Sequence, residues 1–315
     1  MFNAQKENKV QTDYRSITLL YHAGSGSGMG GKVAPQVAEK LRALYVNAEL
    51  EVIETRSREH IAEVGRTSEA DLIICLSGDG SIHDLAQTLV ERADDKRPIL
   101  ASIPAGSGND YARTLGMPLD PLKAVAALPE CEVVKADVGR VNDTYFLETL
   151  SFGVDAAVAL NTEELRLTTK ARGGVLYAHA AINAILHEFE ANHVKVRMAE
   201  GEYQLKALIL AVQNGPTYGG GFRVAPNASI VDGLLDVYIV SGIKKPTALY
   251  YLTQMKNGKH EHLKGFSYHR TSQLELEFDK QVPAQCDGER LLGLSFSVDV
   301  VPAAIEVLKR IENFH

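Results

Sequence analysis

The sequence predicts an α/β domain followed by a mostly antiparallel β domain, and three observations carry that prediction. Up to about Cys131, apolar strand-like runs alternate with helix-like segments, the pattern of a parallel sheet with helices on both faces. Two of those runs end in glycine turns, Ser77-Gly78-Asp79-Gly80-Ser81 and Pro104-Ala105-Gly106-Ser107-Gly108-Asn109-Asp110. Beyond Cys131 the strands lie close together, and several alternate apolar and polar residues, as Ser272 to Phe278 does; that is the signal of half-exposed antiparallel strands.

In chain order, Ser16–Tyr21 reads as a strand leading into a glycine loop, Gly24 to Gly31. Val33–Leu44 carries apolar residues at helical spacing, Glu49–Glu54 is a strand ending at Thr55, and Glu59–Thr67 is a helix. Asp71–Leu76 and Pro98–Pro104 are the buried strands before the two turns. The second half offers strands at Glu132–Val141, Thr144–Phe152, Val194–Met198, Leu205–Gln213, Leu235–Val240, Gln273–Phe278, Val282–Cys286 and Phe296–Val300. Helices are expected at Gly174–Glu190 and Pro246–Lys256, with a last one over Ala303–Glu312. The predicted division is therefore 1–136, with a C-terminal helix over 302–315 returning to it, and 137–301.

Bulk properties narrow the function. The chain has 315 residues, 45% of them apolar and 23% charged, an ordinary globular composition with length for two domains. A formal net charge of −7 argues against nucleic-acid binding, which needs a basic field. Cys75, Cys131 and Cys286 are far apart and odd in number, which suits a reducing compartment. Residues 1–14 are polar, with no signal-peptide core, and no apolar helix is long enough to span a bilayer. The expectation is a cytoplasmic protein that associates with a membrane only transiently.

The glycine turns carry the chemistry. Glycine lets a backbone turn sharply and present its N–H groups with no Cβ in the way, and a helix N-terminus adds unpaired donors and partial positive charge. Two such turns on neighbouring strands make a phosphate cradle at the carboxyl edge of a sheet. Asp79, inside one of them, is a candidate for magnesium or for a proton; a turn or N-cap aspartate is the plainer alternative. Asn109 and Asp110 have helix capping as theirs. The first loop nearly fits a P-loop, but Val33 stands where the magnesium-binding hydroxyl belongs. Gly26-x-Gly28-x-x-Gly31 also fits the dinucleotide fingerprint, a weak match by itself.

Taken together, these residues resemble the diacylglycerol kinase catalytic family, which includes sphingosine and ceramide kinases and bacterial lipid kinases. The family's glycine-glycine-aspartate-glycine-threonine turn stands here as Ser77 to Ser81, and its proline-x-glycine-threonine-x-asparagine-aspartate turn as Pro104 to Asp110. Ala136-Asp137-Val138-Gly139, Gln213 to Gly221, Ala225 to Ala228, Asp232 to Asp236 and Cys286-Asp287-Gly288-Glu289 follow in the expected order. The pattern departs at three places: His22-Ala23 stands for asparagine-proline, Asp84 for a glutamate, and Val231 for the first of two aspartates.

The resemblance implies a Rossmann-like, phosphofructokinase-like N-terminal domain and a C-terminal β-sandwich that receives a lipid. It implies ATP and Mg2+ as cofactors, with transfer of the γ-phosphate to a lipid hydroxyl, most simply diacylglycerol-like. Gly24, Gly26, Gly78, Asp79, Gly80, Ser81 and Gly106 would grip the nucleotide, with Thr55, Asp84, Ser107 and Asn109 as further contacts. Glu289 is the first choice for the base that takes the hydroxyl proton, and Asp79 the second. Asp137 would hold the substrate head group. A structural Mg2+ would use Asp232 with the carbonyls of Ser229 and Leu234. The lipid tail needs an apolar groove, which the helices Gly174–Glu190 and Pro246–Lys256 could line, and the lysines around Lys244-Lys245 and Lys256 to Lys264 could meet anionic head groups. The alternatives are a sphingoid-base kinase, a soluble-substrate kinase resembling NAD kinase, and a catalytically silent nucleotide-binding regulator. Oligomeric state is open, with a homodimer as one option.

Overall fold

A computed structural model of the chain describes residues 13–168, 173–187 and 189–310. It divides into two compact units. One takes the chain up to Gly106, Leu115–Lys135 and the chain from Ile305; the other takes Ser107–Thr114 and Ala136–Ala304.

The elements run β1 (Ser16–Tyr21), α1 (Ser25–Leu44), β2 (Glu49–Glu54), α2 (Arg58–Thr67), β3 (Leu72–Ser77), α3 (Asp79–Leu89), β4 (Ile99–Pro104), α4 (Asp110–Thr114), α5 (Pro121–Ala127) and β5 (Cys131–Val141). They continue with β6 (Thr144–Phe146), β7 (Thr149–Gly153), α6 (Val154–Thr168), α7 (Gly173–His187), β8 (Asn192–Met198), β9 (Gly201–Ala207), β10 (Ile209–Gln213) and β11 (Leu235–Val240). The last are α8 (Lys245–Lys256), β12 (Phe266–Thr271), β13 (Gln273–Phe278), β14 (Ala284–Cys286), β15 (Glu289–Leu291) and β16 (Ser295–Arg310).

In the first unit the strands pair in parallel in the order β2-β1-β3-β4. Every residue of β3 and β4 is buried, as expected of central strands covered on both faces. β2 lies at the edge, and its glutamates are exposed.

The second unit is the predicted β-sandwich. One sheet has the antiparallel order β12-β11-β10-β7-β14-β15. The other pairs β13 with β16 and β8, and β8 with β9, also antiparallel. Leu274, Leu276 and Phe278 point inward from β13 while Gln273, Glu275 and Glu277 are exposed, which is the alternation legible in the sequence. Phe152 anchors the core between the sheets, its ring centroid 4.9 Å from that of Phe296 and 5.1 Å from that of Phe278.

The helix expected over Ala303–Glu312, within the 302–315 segment, is a strand instead. β16 continues to Arg310 through Ala303, whose φ is +51°, and Val307 pairs in parallel with Leu100 of β4. Alanine, glutamate, leucine and lysine favour a helix intrinsically, but the free edge of β4 offers ladder hydrogen bonds and buries Ile305, Val307 and Leu308. Residues 311–315 of that expectation lie outside the described residues, as does most of the polar stretch 1–14. The structure adds a helix that the strand-rich reading passed over, α6, which starts directly after Gly153. Among the described residues, no helix is long and apolar enough to cross a membrane. All three cysteines are buried and free, and burial pushes the Cys131 thiol up to about 11.

Candidate active site

β1, β3 and β4 run parallel, so the loops after them emerge at one edge of the first unit's sheet. Their backbones touch there. A β-carbon on Gly26 would lie 2.3 Å from the carbonyl oxygen of Ala105, and one on Gly78 would lie 3.0 Å from the α-carbon of Gly106. Gly26, Ser27 and Gly28 have φ of +56°, +62° and +92°, so the regular turns of α1 begin only after them. The Ser25 and Ser77 hydroxyls are 2.7 Å apart, as are those of Ser77 and Ser81, which ties the first loop to the second. Gly78 is the N-cap of α3 and supplies no side chain to its first-turn amides; an anion is the natural partner for those donors. Asp79 is the first residue of that helix, and a β-carbon on Gly80 would meet only open space. Glycine contacts and an uncapped helix end are what a polyphosphate requires, so this cradle fits a nucleotide.

The other predicted nucleotide contacts are placed differently. Thr55 is buried, and its hydroxyl donates to the Tyr21 carbonyl at 3.2 Å. The His22 ring lies 3.2 Å, through Nδ1, from the Thr55 carbonyl oxygen, and a β-carbon on Gly24 would lie 3.0 Å from its Nε2. An imidazole thus fills the space beside Gly24. Asp84 takes a bidentate pair from Arg58, whose Nε is 3.0 Å from each carboxylate oxygen, so its charge joins α2 to α3. Ser107 and Asn109 fall in the second unit, and Asn109 has a φ of +58°.

In the second unit Asp110 clamps a distant loop. Its two carboxylate oxygens accept the amides of Gly220 and Gly221, each at 2.7 Å, and Gly219, Gly220 and Gly221 all have positive φ. Asp287 and Gly288, at φ of +47° and +95°, turn the β14–β15 hairpin. The Asp287 carboxylate accepts the amides of Leu147, Glu148 and Thr149 at 2.7, 3.0 and 2.9 Å. That pins the hairpin and sets Glu289, the first residue of β15, partly exposed beside it. Glu148 is buried here; the Oε2 atom is 1.8 Å from where a β-carbon on Gly215 would sit, so only glycine fits. Burial, with the charges of Glu148 and Asp287, raises the pKa of the Tyr111 hydroxyl. Glu148 was not singled out from the sequence; its signal is an acid inside the apolar run Phe146 to Val154.

Two more predicted residues already have partners within the second unit. Asp137 is buried, and its oxygens accept the amides of Gly233 at 2.7 Å and Ala303 at 2.8 Å, so it ties two loops. Asp232 is paired with the Arg270 guanidinium and accepts the Leu234 amide at 3.1 Å. A resident cation already neutralises that carboxylate, so Ser229, Asp232 and Leu234 do not fit a structural Mg2+. Among the described residues, no cluster of three or more His, Cys, Asp or Glu side chains could hold a metal.

The second unit also contains an apolar cleft with an empty volume of about 690 Å³, its mouth included. Val158 of α6, Ile185 of α7, and Leu252 and Met255 of α8 form part of its wall. Tyr218 and Gly219, from the loop that Asp110 clamps, form another part. Its lining, apolar and aromatic with few polar groups, is that of a site for an apolar ligand.

The likeness to known proteins extends over both units. Residues 16–141 match the diacylglycerol kinase catalytic domain, and residues 148–309 match the YegS C-terminal NAD kinase beta sandwich-like domain. The chain belongs to the lipid kinase family built from these two domains. A "Probable lipid kinase YegS-like" of Cronobacter sakazakii is 30% identical over 239 residues, 75% of this chain and 77% of its own. One of Chromohalobacter salexigens is 29% identical over 240 residues, 76% of each chain. A solved diacylglycerol kinase of Bacillus anthracis shares the fold with a TM-score of 0.78 at 22% identity, covering 95% of this chain and 98% of its own.

Proposed function

We propose that this kinase transfers the γ-phosphate of ATP to the hydroxyl of a diacylglycerol-like lipid at a membrane surface. The observation that carries the reading is the cradle of backbone contacts at Gly26–Ala105 and Gly78–Gly106 beside the uncapped start of α3. The apolar cleft of the second unit supports a lipid acceptor over a soluble dinucleotide.

In this mechanism the amides around Gly26, Gly78 and Gly106 hold the triphosphate in line for attack. Mg2+, when bound, would neutralise charge on the phosphates, with Asp79 as the carboxylate nearest to that task. The lipid hydroxyl oxygen attacks the terminal phosphorus, the bond to the bridging oxygen of ADP breaks, and the hydroxyl proton passes to a carboxylate. Glu289 is the first choice for that base, worth roughly 10²–10⁴-fold in rate, and Asp79 the second. Exposed Val175, Ile182 and Leu186 of α7 and Leu249 and Tyr250 of α8, with Lys244 and Lys256 at the ends of α8, suit a transient contact of a cytoplasmic enzyme with an anionic bilayer.

The test is a panel of diacylglycerol, monoacylglycerol, sphingoid base, ceramide and NAD, each offered with labelled ATP and Mg2+. Label in phosphatidate is the expected result. Label in NAD alone, or in no acceptor while ATP still binds, would overturn the reading.

A further inference from the structure

The wall of the apolar cleft contains a carboxyl group that the mechanism above does not use. Asp155 sits in the first turn of α6, directly after Gly153, whose φ is +81° and whose absent side chain lets the backbone approach the Leu208 carbonyl. That turn delivers Asp155 to the cleft, where it is 7% exposed among otherwise uncharged described lining residues. A hydrogen bond from Ser151 engages the carboxylate, but Oδ2 is shielded from solvent and has no hydrogen-bond partner. Ser151 is itself held, accepting from Gln285 Nε2 at 2.7 Å. Tyr251, also in the wall, gives its hydroxyl proton to the Lys264 carbonyl at 2.8 Å, so it does not turn toward Asp155.

A buried, half-satisfied acid in an apolar wall costs stability unless a ligand completes it. No cation lines the cleft among the described residues, and burial raises the carboxyl to about 7, which favours the neutral acid, a hydrogen-bond donor. A donor in an apolar channel selects a chain that brings an acceptor with it. We infer that Asp155 is a specificity-determining residue, donating a hydrogen bond from its carboxyl group to the acyl carbonyl oxygen of a lipid whose chain fills this cleft. This rests on the lipid-kinase reading for the identity of the ligand class. It adds that the enzyme distinguishes ester-linked from ether-linked lipids.

The experiment uses the purified full chain and reads binding apart from turnover, by displacement of a fluorescent fatty-acyl probe. The competitors are dioctanoylglycerol and its dioctyl ether analogue, which lacks the carbonyls. The wild type should bind the ester about tenfold more tightly, the worth of one well-made hydrogen bond. Asp155→Asn keeps an N–H donor and should retain the preference, whereas Asp155→Leu should bind both competitors alike. Equal binding of the two by the wild type overturns the inference without any variant, as does a preference that survives in Asp155→Leu. Tighter displacement by a sphingoid base that Asp155→Asn abolishes would mean that an ammonium, not a carbonyl, is held, and would also overturn it. Phosphoryl transfer is measured in parallel. Ester-selective binding with no transfer to any lipid sinks the kinase reading and upholds this one; transfer without ester selectivity does the reverse.

Discussion

Gly78 and Gly106 meet backbone to backbone: a β-carbon on the first would stand 3.0 Å from the α-carbon of the second. Gly26 stands in the same relation to Ala105, more tightly, at 2.3 Å. The third loop therefore meets the first two backbone to backbone, and the Ser25 and Ser77 hydroxyls, 2.7 Å apart, join the first to the second beside the start of α3.

That closeness can be separated from backbone strain. Gly26 and Gly28 both have left-handed φ, but a β-carbon on Gly28 would meet nothing within 4 Å. Gly28→Ala should cost about 1 kcal/mol from conformation alone. Gly26→Ala should cost at least about 2 kcal/mol more, because it also drives the first loop off Ala105, and should weaken ATP binding about tenfold or more. Thermal melts and calorimetric titration with ATP distinguish the two, and equal effects would mean that the loops do not need their contact.

Asp79→Ala should abolish lipid phosphorylation while leaving the melting temperature within a few degrees of wild type. Glu289→Gln should spare ATP affinity and slow turnover by roughly 10²–10⁴-fold. ATP affinity lost in Glu289→Gln would make that residue a binding group and move the proton to another carboxylate.

Asp137→Ala should act on folding rather than on substrate. Both oxygens accept buried backbone amides, and charge-assisted bonds of this kind contribute about 1.5–3 kcal/mol each. A drop in thermal stability with the lipid KM of the surviving enzyme near wild type is expected. An unchanged melting temperature with a raised KM would return Asp137 to the head group.

Asp232 makes a different case, since Arg270 stands where a cation would. Chelation of divalent ions should leave the melting temperature of the nucleotide-free chain unchanged. A clear fall on chelation, reversed by Mg2+, would show a structural metal after all.

Asp155 makes stability depend on pH. In the folded chain burial holds its carboxyl at about 7, against the favourable pull of the Ser151 hydroxyl, while in the unfolded chain it ionises near the ordinary value of about 4. A raised folded-state value gives stability that is complete below the unfolded value and is lost as pH rises through about 7. The loss is on the order of 4 kcal/mol by about pH 8. Asp155→Asn cannot ionise, so its advantage over wild type in chemical denaturation should widen from about pH 5 to about pH 8 and then level off. A constant gap would place the ionisation outside that window.

Much of the molecule is legible from residue order. The apolar runs Leu72–Leu76 and Ile99–Ile103 read as buried strands, and glycine turns directly after them fall at the carboxyl edge of a parallel sheet. The alternation in Gln273–Phe278 assigns its inner face at once. These features are local: they depend on period and on glycine's lack of a side chain, both visible one residue at a time. Partners far apart in the chain are not. Ala303–Arg310 has helix-forming composition and becomes a strand because β4 has an edge to fill. Asp137 and Asp232 look like open carboxylates until Gly233, Ala303 and Arg270 come to meet them. Asp155 lies in a stretch where the sequence shows no helix, and its setting is decided only when α6, α7 and α8 enclose it. Sequence by itself determined the fold class and where the glycine turns fall; the tertiary structure alone decided which acids are neutralised, because charge is cancelled by whatever folding brings within hydrogen-bond reach.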